Sequence, residues 1–358
     1  MEVTLLSNNI EINSIYKNYK ISFISSIREE IQTKINNNDL IIIDSNISNF
    51  VDDLTGNKVI KLEANEEQKS FENLNEVISE ILSSGFKKNN KIFVVGGGII
   101  QDTSAFISSI LFRGVSWLFF PSTLLAMCDS CIGGKTSINF SGFKNQLGNF
   151  YPPDSIFIDV SLLEGLNDSA IRSGVGEMLH YFLVSDEKKF TLFQEHYNKA
   201  LLSDNKSLEL LINQSLRIKK EFIEADEFDT GERLILNYGH TFGHAIEAAT
   251  NFSIPHGIAV THGMDMANKF SLDKGYISSD LYHELRKVFE TIWDSRIPNI
   301  KNVDNFVSLL KLDKKVVGNK LRLILTKGIG NMFIEKTDVD QFFLRFLDQY
   351  IRDNFSGQ

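Results

Sequence analysis

Cysteine, proline and tryptophan are scarce in this chain, and so is excess positive charge. Among its 358 residues are two cysteines, five prolines and two tryptophans, with 37 basic against 46 acidic side chains and a net charge of −9. No long Lys/Arg run appears, so a general nucleic-acid binder is excluded. Cys128 and Cys131 form a lone C-x-x-C. With no second pair, and with Asp129-Ser130 as a spacer unlike that of redox motifs, two small buried thiols are expected. The longest apolar run, residues 115–128, is too short to cross a bilayer and contains Pro121. The N-terminus has neither a basic start nor an apolar signal core. A cytoplasmic protein with no membrane partner follows.

What is present is a globular composition, 42% hydrophobic and 23% charged, with length for about two domains. Apolar runs at 40–45, 58–63, 91–95, 117–121 and 156–159 read as strands, and 71–82 and 102–111 as helices. Strands alternating with helices predict a parallel sheet with right-handed crossovers. Gly96-Gly97-Gly98, between a strand and a helix, is where a dinucleotide pyrophosphate could sit against helix amides. The spacing is not G-x-G-x-x-G, and a tight turn without a ligand fits it equally.

Gly133-Gly134-Lys135-Thr136 looks like the end of a P-loop, but Asp129 occupies the first glycine position, which rejects a triphosphate site. Lys135, Lys144 and Asn145, with Arg113 upstream, remain a group able to hold an anion. From about residue 167 the 3.6-residue period dominates: 177–193, 201–224, 239–249, 258–272 and 281–293, with one strand-like run at 320–325. The expected division is an α/β domain over 1–165 and a helical domain over 166–358.

The helical half holds a dense motif, Asn237-Tyr-Gly-His-Thr-Phe-Gly-His-Ala-Ile-Glu, with Pro255-His256-Gly257 beyond it. Three of the seven histidines fall here. His240 and His244 are one helical turn apart and share a face, with Glu247 close to the same line. An amphipathic helix with two ordinary histidines is one reading; His256 on the nearby turn favours a divalent-metal site. Gly243 costs a helix roughly 1 kcal/mol relative to Ala, so another backbone or a ligand is expected to lie against it.

Taken together, Gly96-Gly-Gly-Ile-Ile-Gln-Asp, Phe112-Arg-Gly-Val, Pro121-Ser-Thr-Leu-Leu, Asp129-Ser-Cys-Ile-Gly-Gly-Lys-Thr, Lys144-Asn, Ser173-Gly-Val-Gly-Glu, the Arg233 to Glu247 motif, His256-Gly and Asp313-Lys-Lys resemble the sugar phosphate cyclases, and among them the dehydroquinate synthase branch. The resemblance runs from roughly Asp44 to Ile329. It implies an N-terminal Rossmann-like NAD-binding α/β domain, an all-α C-terminal metal-binding domain, and a cleft between them holding Zn2+ or Co2+. It also implies a homodimer acting in the shikimate pathway of aromatic amino acid biosynthesis. The reaction it implies starts from a phosphorylated seven-carbon sugar acid. A ring hydroxyl is oxidised with NAD, phosphate is eliminated, the hydride is returned, and an intramolecular aldol step closes a carbocycle.

By the same resemblance, Glu177, His240 and His256 would hold the metal, and His244 would turn to the substrate. Lys135, Asn145, Asn237, His244 and one of Lys314 or Lys315 would surround the phosphate and nearby hydroxyls, with Arg113 reaching a phosphate in the neighbouring subunit. Asp129 would bind a substrate hydroxyl, and Lys219 with Arg233 the carboxylate. On the cofactor, Gly97 and Gly98 would meet the pyrophosphate, Asp102, Ser122 and Thr123 the nicotinamide side, and Asp44, Glu66 and Lys69 the adenosine; Lys144 joins the cofactor contacts. Relatives acting on neutral sugar phosphates tend to lose the Lys219–Arg233 pair, so its presence favours the keto acid. Three residues depart from the usual pattern: His180 for a lysine, Gln101 for a small residue and Ile258 for an acidic one.

Overall fold

The computed structural model describes residues 9–51, 56–141, 143–294, 298–300, 302–312 and 320–355. The chain divides into two compact units, Met1–Leu166 with Ile212–Asp229, and Asn167–Leu211 with Thr230–Gln358. A single cut near 165 therefore omits the return of 212–229 to the first unit. That switch falls inside one unbroken helix, so no change of periodicity marks it.

The first unit contains β1 (Asn9–Ile12), β2 (Tyr19–Phe23), α1 (Ile27–Lys34), β3 (Leu40–Asp44), β4 (Lys58–Leu62), α2 (Leu74–Ser83), β5 (Lys91–Gly96), α3 (Gly98–Ile110), β6 (Ser116–Pro121), β7 (Ile138–Phe140), β8 (Phe143–Leu147) and β9 (Ser155–Ile158). Seven strands form one sheet in the order β1-β2-β9-β6-β5-β3-β4, parallel except for the β1–β2 pair. β7 and β8 make a separate hairpin. β3 is buried along its whole length, as an apolar run covered on both faces should be. Alternate residues Ile41, Ile43, Phe93, Val95, Leu118 and Phe120 share a core with Ile27 and Ile31 of α1.

This strand order has a functional consequence. β3 has β4 on one side and β5 on the other, so the order reverses between them. Open α/β sheets bind ligands beyond the carboxyl ends of their strands at such a reversal. Asp44 ends β3, and the Gly96–Gly98 turn links β5 to α3. The helix starts at Gly98, four residues before the position expected from apolar spacing, because glycines hide a first turn from any periodicity.

The second unit is helical: α4 (Asp168–Ser185), α5 (Glu187–Leu201), the first part of α6 (Asn205–Ala225), α7 (His240–Ala249), α8 (His256–Asp273), α9 (Ser279–Ile292), α10 (Val303–Leu312) and α11 (Gln341–Asn354). Between α10 and α11, β10 (Lys320–Thr326) and β11 (Met332–Asp338) form an antiparallel hairpin, which a purely helical description leaves out. The apolar run of residues 177–193 is two helices instead of one. The break comes at Asp186, whose extended backbone caps α5 and whose carboxylate accepts from Lys189 N at 2.8 Å.

Glycines set how closely α4, α7 and α8 pack. A Cβ on Gly257 would lie 1.8 Å from Ser173 O, and one on Gly176 2.5 Å from Gly257 O. A Cβ on Gly263 would lie 2.0 Å from Gly239 O. Gly243, the glycine out of place in α7, faces Val260 Cα at 3.0 Å from its would-be Cβ, so another backbone explains it. The Gly257 amide donates to Ser173 Oγ at 3.0 Å, closing the α4–α8 contact.

Gly257→Ala should thus force two backbones apart. We expect a loss of about 1–3 kcal/mol or more in urea denaturation, against no change for Gly165→Ala, where nothing lies within 4 Å. Equal midpoints for the two variants would disprove the close-crossing account.

Candidate metal centre and cofactor turn

Three glycines of that crossing stand beside members of one Glu/His cluster. Gly176 precedes Glu177, Gly239 precedes His240 and Gly257 follows His256. Glu177, His240 and His256 offer ligand atoms that all lie within 4.8 Å of one another. His240 Nε2 is 3.5 Å from Glu177 Oε1, and His256 Nε2 is 3.6 Å from Oε2. Glu177 is 2% exposed, so its charge needs cationic neighbours.

The imidazoles are held by their other nitrogens. His240 Nδ1 is 3.2 Å from Tyr238 O, and His256 Nδ1 is 3.2 Å from Glu247 Oε2. With the protons assigned to Nδ1, both Nε2 atoms turn their lone pairs toward Glu177. One carboxylate and two neutral imidazoles suit zinc or cobalt. His244 is exposed, with its ring centroid 5.6 Å from that of His240 and 5.8 Å from that of His256. His244, Glu247 and His256 form a second cluster meeting the same distance limit. His180, the residue standing for a lysine, is buried, with Nδ1 2.6 Å from Glu177 O and 3.3 Å from Oε1. Burial pushes the Glu247 carboxyl up, but its hydrogen bond from His256 and the neighbouring histidines hold it below the usual value.

In the first unit the expected cofactor residues gather at the carboxyl ends of the parallel strands. Ser122 N donates to Gly96 O at 3.0 Å, and a Cβ on Gly97 would sit 2.9 Å from Thr123 Cγ2. α3 begins at Gly97-Gly98 with no side-chain cap, leaving its first amides to meet an anion. Asp44 Oδ1 accepts from Asn46 N and Nδ2, both at 3.0 Å. Lys69, 8% exposed at its side chain, reaches Asp102 Oδ2 at 2.6 Å and Asn145 Oδ1 at 2.8 Å. Burial pushes Asp102 up to about 6 despite the lysine beside it. Glu66 Oε2 lies 3.9 Å from Lys144 Nζ and accepts from Asn139 Nδ2 at 2.8 Å.

The expected substrate residues fall into separate groups. Lys219 Nζ donates to Asp129 O at 2.6 Å and to Oδ1 at 2.7 Å, both within the first unit. Lys135 pairs with Asp229 at 2.5 Å, a partner that no sequence signal announced because it is a single acid in a loop. Asn145 lies with Lys69 and accepts from Ser137 Oγ at 2.6 Å. In the second unit, Arg233 is 4% exposed in the turn before α7, where Asn237 Nδ2 donates to Leu234 O at 3.0 Å. Arg113 is exposed at φ 63°, after Phe112 at φ 51° and before Gly114 at φ 107°. Lys314 and Lys315 lie outside the described residues. Cys128 and Cys131 are buried and form no disulfide, and burial pushes the Cys131 thiol up to about 12.

Gln101 has a structural explanation. Its Nε2 donates to Ser130 O at 2.6 Å, and its Oε1 accepts from Ser130 Oγ at 2.7 Å. The buried amide thus grips, from α3, the turn that carries Asp129. Ile258 is fully buried in α8, where an acidic residue would need a partner.

Two family descriptions match the chain, 3-dehydroquinate synthase N-terminal over residues 59–173 and C-terminal over 174–316. A 3-dehydroquinate synthase of Clostridium beijerinckii is 35% identical, covering 80% of this chain and 81% of that protein. One from Prochlorococcus marinus is 34% identical and covers 97% and 98%. A 2-deoxy-scyllo-inosose synthase, solved with carbaglucose-6-phosphate, NAD+ and Co2+, shares the fold at 24% identity with a TM-score of 0.86 over 97% of this chain and all of that one. The class is that of the sugar phosphate cyclases. The chain belongs to the 3-dehydroquinate synthase family, and it is an enzyme of that type.

Replacing Gln101 by Met keeps its bulk and removes both bonds to Ser130. We expect a loss of about 1–3 kcal/mol, read as a lower urea midpoint for the full chain. An unshifted midpoint would refute the grip.

Proposed function

We propose that this enzyme converts 3-deoxy-arabino-heptulosonate 7-phosphate to 3-dehydroquinate and phosphate, with NAD and one divalent ion, Zn2+ or Co2+, bound per chain. The observation that carries the metal requirement is the convergence of Glu177, His240 and His256, whose ligand atoms lie within 4.8 Å of one another. The similarity to 3-dehydroquinate synthases over most of the chain supports the reaction type. Bound NAD would supply a reversible hydride acceptor, and the ion would polarise the reacting oxygen.

The rest of the work falls to side chains. Glu177, His240 and His256 hold the ion, and His244 meets the substrate from the same helix face as His240. Asp44, Glu66, Lys69, Gly97, Gly98, Asp102, Ser122, Thr123 and Lys144 bind the dinucleotide, with the pyrophosphate at the α3 N-terminus. Lys135, Asn145, Asn237 and one of Lys314 or Lys315 fix the phosphate and hydroxyls. Holding the phosphate rigidly lets one of its own oxygens take the neighbouring proton during elimination. Asp129 takes a ring hydroxyl. The buried cations Lys219 and Arg233 take the carboxylate, where the planar guanidinium gives a two-point grip. Arg113 serves the neighbouring subunit of a homodimer. The setting we assign is the cytoplasmic shikimate pathway; among the described residues no helix is long and apolar enough to cross a membrane.

His180 is the observation that favours a second substrate, since a buried imidazole beside Glu177 replaces a flexible cation. Phosphate release with NAD and zinc therefore has to be compared for the heptulosonate phosphate and sedoheptulose 7-phosphate. We expect release from the keto acid with dehydroquinate formed and no lasting NADH absorbance. Release from the neutral sugar alone would move the protein to another branch of the cyclases, and steady NADH accumulation would make it a dehydrogenase. Arg233→Ala should raise KM for the keto acid about tenfold to a hundredfold, the worth of a charged hydrogen bond. An unchanged KM would remove Arg233 from the carboxylate.

A further inference from the structure

Glu247 does not belong to the ligand triple, yet it lies against one member of it. It sits near the end of α7, its side chain 14% exposed, with Oε2 3.2 Å from His256 Nδ1. The opposite nitrogen of the same ring, Nε2, is 3.6 Å from Glu177 Oε2. A histidine has one proton to place between its two nitrogens in the neutral form, and the acceptor at one nitrogen decides where it goes. At His240 the acceptor is the Tyr238 carbonyl, 3.2 Å from Nδ1. At His256 it is a carboxylate. The two imidazoles are therefore set in the same way, Nδ1 outward and Nε2 inward, by acceptors of different strength.

We propose that Glu247 is the positioning residue of the metal centre: it fixes the His256 tautomer and ring orientation and raises the basicity of Nε2 toward the ion. The proposal rests on the metal reading above. An ionised carboxylate behind a ligating imidazole accepts a stronger hydrogen bond than a backbone carbonyl and increases electron donation from the far nitrogen. Such partners govern affinity without touching the ion, and their loss costs about tenfold to a hundredfold in metal binding.

The same side chain could act otherwise, since His244, Glu247 and His256 also come within 4.8 Å of one another. Ligation there would use His256 Nδ1, the nitrogen already facing Glu247, while Nε2 faces Glu177. Serving both clusters would require His256 to give up both ring protons. A single ion at Glu177, with Glu247 behind His256, needs no such deprotonation.

The test uses the full chain, stripped of metal and titrated with Co2+ or Zn2+ against a chromophoric chelator. Glu247→Gln keeps an amide oxygen to accept from Nδ1–H but loses the charge, and Glu247→Ala loses both. Expected are one ion per chain in all three proteins, about tenfold weaker affinity for Gln and up to about a hundredfold for Ala, with unchanged far-UV circular dichroism of the stripped forms. Affinities for both variants within twofold of the parent would overturn the proposal. So would two ions per parent chain and one per variant, which would make Glu247 a ligand. A parent chain that binds no ion, alongside a His256→Ala control that behaves identically, would instead defeat the metal reading itself. If the alanine variant does not fold, the shape-preserving glutamine variant decides.

Discussion

The constraint on which the second unit depends is the close approach of helix backbones at glycine. Side chains of ordinary size would hold α4, α7 and α8 at the usual interaxial spacing of about 8–10 Å. Glycine at 176, 257, 239, 263 and 243 removes the atoms that would collide with Ser173 O, Gly257 O, Gly239 O or the Val260 backbone. Because Glu177, His240 and His256 are each the chain neighbour of one of these glycines, the contact that packs the helices also brings their ligand atoms within 4.8 Å of one another. Packing and site are one interaction here. A methyl group added to the contact is felt at the Glu177–His240–His256 cluster, because cores this dense transmit displacement and do not absorb it.

The first unit relies on a different device, the order of its strands. The order reverses between β3 and β5, and it is at the carboxyl ends of strands beside such a reversal that open α/β sheets bind their ligands. The glycine turn leaves the first amides of α3 uncapped. Nearly buried Lys69 pairs with the half-buried Asp102, whose carboxyl is pushed up to about 6, so desolvation outweighs the lysine's attraction.

Two of the three unusual residues, Gln101 and His180, have different physical meanings. Gln101 makes good hydrogen bonds at both ends of its amide, and a small residue could not span to Ser130. His180 turns its Nδ1 to the backbone of its own helix and to Glu177, where the longer, flexible side chain of a lysine would carry its charge further out. The first is explained by what it holds; the second sets a buried imidazole beside the Glu177 carboxylate.

The sequence by itself determined the element types, the parallel sheet, the helical second half and the family, because apolar periodicity and long ordered motifs survive without coordinates. It also supplied the residues from which Glu177, His240 and His256 come. The histidine spacing alone pointed to His244 as a ligand; only folding shows it exposed beside the cluster, since shared helical face says nothing about which face meets α4. Helix starts hidden by glycine, the break at Asp186, the half-buried strand β11 and the return of 212–229 to the first unit had no pattern to betray them. Tertiary structure alone decided the partners: Glu247 behind His256, Asp229 on Lys135, Gln101 on Ser130, and a backbone against Gly243. Such contacts join residues far apart in the chain or through a turn whose geometry no local rule encodes, and distance in space is what a linear pattern does not carry.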